Sequence, residues 1–269
     1  MTVTSLTNPT ITNLPYDANG NLIRIWGKLN NPIVSGSFGP ADAGLSVSLM
    51  ERVVIRFGGQ VARRLVVQYR MHEAIMAFPS AEFYDGDLVA DPSVAAHRLT
   101  DLPGVSGPIA ERVVRFIDTA GASYDEEQED DTESRFNRQE AALAAKQVRA
   151  FVAAGVAPEQ IAVITPYRGQ VRLLREMLRE FPALEIDSVD GFQGREKEAV
   201  VISLVRSNPA GEIGFLADTR RTNVALTRAR RALVVIGDSA TLAADPFYQR
   251  MIAHFEATGA YSSVWEEAD

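Results

Sequence analysis

The chain has 269 residues, a formal net charge of −8 at pH 7, no cysteine and three histidines. Without cysteine it forms neither a disulfide framework nor a thiolate zinc site, and histidines this far apart make a histidine-based metal site unexpected. No run of about 18 apolar residues occurs, and the first residues lack the basic head and apolar core of a secretory signal. The sequence therefore predicts no membrane span and no secretion, and a cytoplasmic, reducing compartment fits best.

Charged residues are unevenly spread along the chain. Residues 125–133 contain seven acids and no base, whereas residues 195–231 contain eight bases and four acids. A negative net charge argues mildly against a polyanionic ligand, but the local field matters more than the total charge. The composition therefore permits nucleotide or nucleic-acid binding without requiring it. The acidic run is predicted to be a solvated or disordered loop.

Composition divides the chain into three predicted parts. Residues 1–43 are rich in Thr, Asn, Pro and Gly and contain turn formers such as the DANG sequence at 17–20. This pattern predicts a poorly structured or foreign N-terminal extension. Apolar residues recur at regular spacing through residues 44–258, the predicted domain, and residues 259–269 form a predicted acidic tail.

Short apolar strands and longer helices alternate through the predicted domain. In chain order the predicted elements are a helix from near Ser46, a strand at 64–68, a helix at 73–79, a strand at 113–118, a helix at 137–154, a strand at 161–165, a helix at 169–180, strands at 186–189 and 199–205, a helix at 222–230, a strand at 232–237 and a helix at 247–258. Apolar strands without polar alternation belong to sheets that are covered on both faces. We therefore predict an α/β fold with a mostly parallel central sheet flanked by helices.

The parts of a self-sufficient nucleotide hydrolase are missing from these 269 residues. No glycine-rich GxxxxGK[ST] loop occurs, and no Asp-Glu pair ends an apolar strand where it would hold magnesium. Polar and charged clusters rich in Arg, Tyr, Gln and Glu stand at the ends of the predicted strands instead.

Four of these segments follow one another along the chain in this order: QYRMH at 68–72, ITPY at 164–167, SVDGFQGREKE at 188–198 and RTNVALTRAR at 221–230. They resemble the late motifs of superfamily 1 helicases related to the nonsense-mediated-decay helicase, and most closely the immunoglobulin mu-binding protein 2 type. The resemblance runs from about Gly44 to Ile252. It implies a RecA-like fold and the second of two motor domains that clamp ATP between them.

The resemblance also implies cofactors and partners. ATP with Mg²⁺ is expected, and the first motor domain brings the phosphate loop and the magnesium ligands. The expected partners are that first domain and single-stranded RNA or DNA, translocated in the 5′-to-3′ direction. No motif displays a contact to a 2′-hydroxyl, so both nucleic acids stay open.

Several residues match positions that contact ATP in this family. Arg70 and Arg228 match the arginines that reach the γ-phosphate, where a guanidinium stabilises charge in the transition state. Tyr69 matches the residue that stacks on adenine, and Glu196 the acid that accepts hydrogen bonds from the ribose. Each has an ordinary structural alternative: a surface salt bridge for the arginines, packing for the tyrosine, and pairing with neighbouring Arg195 or Lys197 for Glu196.

Gln193 and Gly194 lie in the motif that joins the ATP cleft to the strand-binding face. The resemblance places Gln193 with the catalytic residues and Gly194 with the nucleotide-binding ones, where glycine allows close backbone approach or a positive φ. A structural turn without a ligand is the alternative.

Another set of positions matches residues that face the nucleic-acid strand, namely Thr165, Tyr167 and Ser188. Hydroxyl groups at strand ends bind phosphates without reading the sequence, and Tyr167 offers a possible stacking surface for a base. Helix capping is the alternative for the hydroxyl residues. His72 is expected to fix the local turn rather than act as an acid or base, and Asn137 with Glu140 to start a helix.

Together these observations predict the second motor domain of an ATP-dependent helicase, without ATPase activity on its own because the phosphate-loop domain is absent. Two alternatives stay open: a non-catalytic module that binds nucleic acid or nucleotide, and a truncated or chimeric product without a function.

Overall fold

The computed structural model describes residues 49–58, 65–130, 132 and 134–267. They belong to two compact units, one ending at Arg64 and one beginning at Leu65. The predicted extension at 1–43 lies outside the described residues.

In the first unit the structure describes a helix, α1 (Leu49–Phe57). The helix predicted from near Ser46 is thus confirmed, although its start lies outside the described residues. Arg56 lies in its last turn, where a cation interacts favourably with the helix dipole.

The second unit alternates strands and helices. Its strands are β1 (Val67–Gln68), β2 (Val89–Ala90), β3 (Val114–Asp118), β4 (Glu127–Gln128), β5 (Arg135–Phe136), β6 (Ile161–Thr165), β7 (Glu185–Ser188), β8 (Lys197–Ser203), β9 (Ala229–Gly237) and β10 (Tyr261–Ser263). Its helices are α2 (Glu73–Phe83), α3 (Pro92–Ala95), α4 (Pro108–Glu111), α5 (Arg138–Ala153), α6 (Arg168–Met177), α7 (Thr219–Leu226), α8 (Ser239–Leu242) and α9 (Pro246–Ala257).

Six strands form a central parallel sheet in the order β10-β3-β9-β8-β6-β7. The predicted α/β fold with a mostly parallel sheet is confirmed. Because the strands are parallel, all their carboxyl ends meet at one edge of the sheet and all their amino ends at the other. These two edges, the carboxyl edge and the amino edge, carry the two groups of candidate residues.

Apolar side chains cover the sheet on both faces, as the uninterrupted apolar strands predict. Successive residues of β6 alternate between the faces: Ile164 belongs to one buried cluster and Val163 to the other. Helices α2 and α9 contribute to the first cluster and helices α5 and α6 to the second. The sheet is therefore the middle layer of three.

Some predicted boundaries differ from the structure. The helix predicted at 222–230 ends at Leu226, because β9 begins at Ala229 and pairs there with Lys197 of β8. Helix α2 continues past Pro79 to Phe83, and that proline is buried. Packing against the core outweighs the local helix-breaking tendency of proline here.

The predicted acidic tail at 259–269 contains an edge strand of the central sheet. Strand β10 pairs with β3, and Tyr261 lies opposite Phe116. Glu267 then forms an ion pair with Arg115, which is buried. The compact unit thus extends beyond residue 258, because β3 would otherwise leave its hydrogen-bonding edge open.

The acidic run at 125–133 is not simply a solvated loop. Its strand β4 pairs antiparallel with β5, and three of its glutamates form ion pairs with arginines elsewhere in the unit. Arg135 and Arg138 lie just after the acidic run and Arg172 lies 43 residues from Glu129, so the fold pairs these carboxylates with arginines outside the run itself. No helix in the described part of the chain is long and apolar enough to cross a membrane.

Candidate functional site

Arg70 lies in the turn between β1 and α2, and the Gln68 side chain fixes this turn. Its Oε1 accepts hydrogen bonds from the backbone N–H groups of Arg70 (2.8 Å) and Met71 (2.7 Å). His72 follows as the N-cap of α2, and its Nδ1 accepts a hydrogen bond of 2.9 Å from the N–H of Ala74. Burial lowers the pKa of His72. The prediction that His72 fixes the local turn is confirmed.

Four charged side chains from three distant segments meet at the amino edge: Arg70, Glu196, Arg228 and Arg230, here called the arginine cluster. Glu196 directly precedes β8, and Arg228 directly precedes β9. The guanidinium of Arg70 forms an ion pair with the Glu196 carboxylate, and Nη1 of Arg230 lies 3.8 Å from Glu196 Oε1. The fold thus joins residues that the sequence motifs only place in order.

Backbone carbonyls orient the two candidate ATP-contacting arginines. Arg228 donates from Nε to the carbonyl of Val224 (2.8 Å) and from Nη1 to that of Arg195 (3.2 Å). Arg70 donates from Nη1 to the carbonyl of Thr227 at 3.1 Å. Burial, followed by the charge of Arg70, lowers the pKa of Arg228 to about 10. The two guanidinium groups thus hold like charges close together.

Glu196 does not depend on its sequence neighbours for a partner. Arg195 and Lys197, the alternatives considered for it, both pair with Glu185 of β7. The local alternative is therefore wrong, and Glu196 is directed towards the arginine cluster.

The remaining candidates for ATP contact are accessible. Tyr69, next to Arg70, is 67% exposed. Gln193 is exposed, and Gly194 has a φ of 82° with no described atom within 4 Å of the position of a Cβ. The predicted positive φ of Gly194 is confirmed. This backbone conformation by itself accounts for a glycine here, since no described atom would clash with a side chain.

Residues 189–196 form a crossing segment between the two edges of the sheet. It leaves β7 at the carboxyl edge after Ser188 and enters β8 at the amino edge. Phe192 is fully buried in the core and anchors its middle. One short segment therefore connects a candidate strand-binding residue with Glu196 in the arginine cluster.

At the carboxyl edge the predicted strand-facing residues are less accessible than expected. Thr165 is fully buried, and Ser188 accepts a hydrogen bond of 3.2 Å at Oγ from the N–H of Gly191. Tyr167 is only 3% exposed, and its hydroxyl oxygen accepts hydrogen bonds from Arg206 and from the N–H of Phe215, both at 3.3 Å. The possibility that Tyr167 offers an exposed stacking surface is thus contradicted, because the ring packs inside the edge.

An ion pair that the sequence analysis missed supports this edge. Glu126 accepts from Nε of Arg206 at 2.8 Å and from Nη1 of Arg135 at 2.7 Å. The side chains of Glu126 and Arg206 are 6% and 4% exposed. Their separation of 80 residues leaves no local signal in a single sequence.

Glu140 was expected only to help start helix α5. Its N–H does donate to the Asn137 side chain at 2.9 Å, so the predicted helix start is confirmed. Its carboxylate, however, is fully buried and accepts hydrogen bonds from Ser203 (2.6 Å) and from the N–H of Val205 (2.9 Å). Burial raises the pKa of Glu140 to about 7. Val205 has a φ of 72°, which β-branched residues rarely adopt, so this bond holds a strained turn.

The described residues contain no group of three or more His, Cys, Asp or Glu side chains that could hold a metal ion. The arginine cluster instead suits phosphate, because guanidinium groups match the geometry of phosphate oxygens.

The chain is similar in sequence to a known domain family and to several known proteins. Residues 45–240 match the family described as "AAA domain". The chain is 49% identical over 240 residues to DNA-binding protein SMUBP-2 of Mus musculus, covering 88% of this chain and 24% of that protein.

Two further relatives are more distant. The chain is 41% identical over 218 residues to DNA polymerase alpha-associated DNA helicase A of Schizosaccharomyces pombe, covering 78% of this chain and 33% of that protein. It is 42% identical over 234 residues to a Regulator of nonsense transcripts 1 homolog of Arabidopsis thaliana, covering 80% and 17%. The chain thus spans a third or less of the length of these relatives.

Proposed function

This chain belongs to the AAA domain family, in the helicase group of SMUBP-2 and the regulators of nonsense transcripts, and from that premise we propose that it acts as the second motor domain of an ATP-dependent nucleic-acid helicase. Its partners are a first motor domain with a phosphate loop and magnesium ligands, and single-stranded RNA or DNA. Bound ATP supplies the phosphoryl group whose hydrolysis drives the motor. Because these 269 residues contain no phosphate loop, the chain alone lacks ATPase activity.

One observation carries this proposal: Arg70 and Arg228 lie together, and backbone carbonyls rather than two carboxylates orient them. Holding two like charges close together at a partly desolvated position is unfavourable unless an anion approaches them. The lowered pKa of Arg228 reflects that cost. An anionic phosphate between the guanidiniums relieves it, and the relief is greatest when negative charge builds up in the transition state.

Glu196 then has two roles at different stages. Before ATP binds, it pairs with Arg70, and both side chains are partly exposed. An exposed pair of this kind stabilises a protein by about 0–1 kcal/mol, so it is exchanged at little cost. After binding, the phosphate replaces the carboxylate at Arg70, and Glu196 accepts hydrogen bonds from the ribose. Tyr69 stacks its exposed ring on the adenine.

Coupling between ATP and the strand runs through the crossing segment, residues 189–196. Gln193 and Gly194 lie in it on the way from Ser188 to Glu196, and the buried side chain of Phe192 anchors the segment in the core. Closure of the two motor domains around ATP therefore shifts the grip on the strand at the other edge.

ATP hydrolysis by a reconstituted pair of domains tests the proposal. The chain is assayed alone and mixed with a separately expressed first motor domain of mouse SMUBP-2, with and without oligothymidylate. We expect hydrolysis only in the mixture. Arg228→Ala should lower that rate by about 10³–10⁵, the usual cost of removing an arginine that contacts the transferring phosphoryl group.

Arg228→Lys serves as the matched variant, because lysine keeps the charge but loses the planar fork. A rate close to that of Arg228→Ala supports a direct phosphate contact, whereas full activity of the lysine variant argues for a general charge effect. No hydrolysis in any mixture of folded domains contradicts the motor proposal and leaves a non-catalytic binding module.

A further inference from the structure

The burial of Tyr167 leaves the carboxyl edge without the stacking residue that the sequence suggested. Its ring packs against Phe215 with the ring centres 5.4 Å apart, and its hydroxyl is held by Arg206. A base cannot reach the Tyr167 ring without displacing these contacts. If a single strand stacks at this edge, another aromatic side chain must receive it.

Phe215 is exposed at the required place. It is 58% exposed, although it touches the buried Tyr167 on one side. It lies in the short 3-10 turn Gly214–Ala217 and lines a cleft together with Ser188 and Arg221. An exposed phenylalanine costs solvation energy, and here the ring contacts Tyr167 at a tilt of 49° while more than half of the residue stays accessible.

The turn that presents Phe215 is held rigidly. Gly214 has a φ of 55°, and a Cβ at this position would lie 2.1 Å from Nη1 of Arg206 and 2.7 Å from the Tyr167 hydroxyl oxygen. Glycine is therefore required here by both backbone conformation and space. Arg206 is itself fixed by its buried ion pair with Glu126. The ring is thus positioned before any ligand arrives, which reduces the entropy lost on binding.

Charge alone is a weak source of affinity at this cleft. Nε of Arg221 lies 3.6 Å from a carboxylate oxygen of Asp190 and equally 3.6 Å from one of Asp218. These acids offset the cation that would attract phosphate. Base stacking needs no net positive charge, and every base has a face that stacks.

We propose that Phe215 is the residue on which a base of single-stranded RNA or DNA stacks at the carboxyl edge, with the buried ring of Tyr167 packed against it from inside the unit. The assignment rests on the proposed function, since it specifies how the same domain holds its strand. Phe215 acts as a binding residue, and Tyr167, Gly214 and Arg206 act as positioning residues behind it.

Binding of the full chain to fluorescently labelled oligothymidylate, followed by anisotropy, tests the assignment. Phe215→Ala should raise the dissociation constant about 5- to 150-fold, as expected for the loss of one base stack. Phe215→Leu, which keeps the apolar contact with Tyr167 but removes the aromatic face, should weaken binding similarly. Phe215→Trp should bind at least as tightly as the unaltered chain.

An abasic oligonucleotide of the same length is the matched ligand, because it keeps the phosphates and lacks the bases. Phe215→Ala should leave its binding unchanged. Trp265, which is 67% exposed and follows β10 elsewhere in the unit, supplies the control variant Trp265→Ala, which should bind oligothymidylate normally. The ratio between the dissociation constants of Phe215→Ala and the unaltered chain should also stay constant as the salt concentration changes, since stacking releases no counterions.

The outcomes separate the two proposals. If the unaltered chain binds no oligonucleotide, both the strand-binding role and the Phe215 assignment are overturned. If it binds oligothymidylate and Phe215→Leu or Phe215→Ala binds equally well, only the Phe215 assignment is overturned. An equal loss on the abasic ligand would likewise overturn it, because the effect would then arise from a distorted edge.

Discussion

The arginines at the two edges of the central sheet differ in how fully they are paired with carboxylates. At the amino edge Arg70 and Arg228 lie close together, Arg70 shares Glu196 with Arg230, and Arg70 and Arg228 each donate to backbone carbonyls. At the carboxyl edge the buried Arg206 has a full carboxylate partner in Glu126. The arginines therefore outnumber their carboxylate partners at the amino edge, whereas at the carboxyl edge the charge of Arg206 is balanced by Glu126.

This difference indicates which property of a ligand, its charge or its stacking surface, should matter most for binding at each edge. An external anion should stabilise the amino edge, so binding there should depend strongly on phosphate charge. At the carboxyl edge Arg206 has an internal carboxylate partner and the ring of Phe215 is exposed, so shape and stacking should contribute more than charge there. Substitutions that break one edge should therefore leave different signatures from those that break the other.

The largest expected effect is on catalysis at the amino edge. In the reconstituted mixture, Arg70→Ala should lower the ATP hydrolysis rate by about 10³–10⁵. Because both arginines are proposed to contact one phosphoryl group, adding Arg228→Ala to Arg70→Ala should lower the rate far less than the product of the two single effects. Arg149→Ala, which removes an exposed arginine paired with Glu180, is the control and should be fully active. Multiplicative losses would show that the two arginines act separately.

The next effect concerns stability at the carboxyl edge. Glu126→Gln leaves Arg206 buried without its charge partner, and should lower the free energy of unfolding by about 3–5 kcal/mol. Urea denaturation measures the change. Glu127→Gln is the matched control, since this neighbouring side chain is 45% exposed and pairs with exposed Arg138. It should cost about 0–1 kcal/mol. Equal effects would contradict the distinction between the two glutamates.

A pH dependence should arise from Glu140, beneath the carboxyl edge. Burial raises the pKa of Glu140 from an ordinary 4.5 to about 7. The folded protein thus holds this proton more tightly than the unfolded chain. The stabilisation is fully present below pH 4.5 and is lost as the pH rises through about 7, amounting to about 3 kcal/mol.

Unfolding free energies at pH 5 and pH 8 check this prediction. Glu140→Gln should be less sensitive to pH than the unaltered chain over that interval. Burial lowers the pKa of His72, His97 and His254, and these groups contribute in the opposite direction. The three histidines are present in both the unaltered chain and Glu140→Gln, so their contributions cancel when the two pH profiles are subtracted. Identical pH profiles would contradict a raised pKa for Glu140.

The smallest expected effect is at Tyr69. Tyr69→Ala in the reconstituted mixture should raise KM for ATP about 2- to 12-fold with little change in kcat, since stacking stabilises ground and transition states alike. Tyr69→Phe keeps the ring and should behave like the unaltered chain. A loss in kcat without a change in KM would place Tyr69 with the catalytic arginines instead.

Much of the fold could be predicted because the central strands β6, β8 and β9 contain uninterrupted apolar runs. Strand β6 was predicted with the bounds that it has, Ile161–Thr165, and the parallel arrangement followed from strand–helix alternation. The boundary between α7 and β9 could not be predicted from local preference. Arg228 and Arg230 suit a helix, and pairing with β3 and β8 draws the chain into the sheet from Ala229.

The sequence by itself determined the fold class and the set of motif residues, since apolar periodicity and motif order are local properties of the chain. Only the tertiary structure decided which of those residues are accessible: it buries Tyr167, exposes Phe215 and makes Glu140 a buried acid. These outcomes depend on partners far apart in the chain, as in the Glu140–Ser203 hydrogen bond across 63 residues. Burial and pairing are properties of the packed molecule, and a single sequence carries no local signal for them.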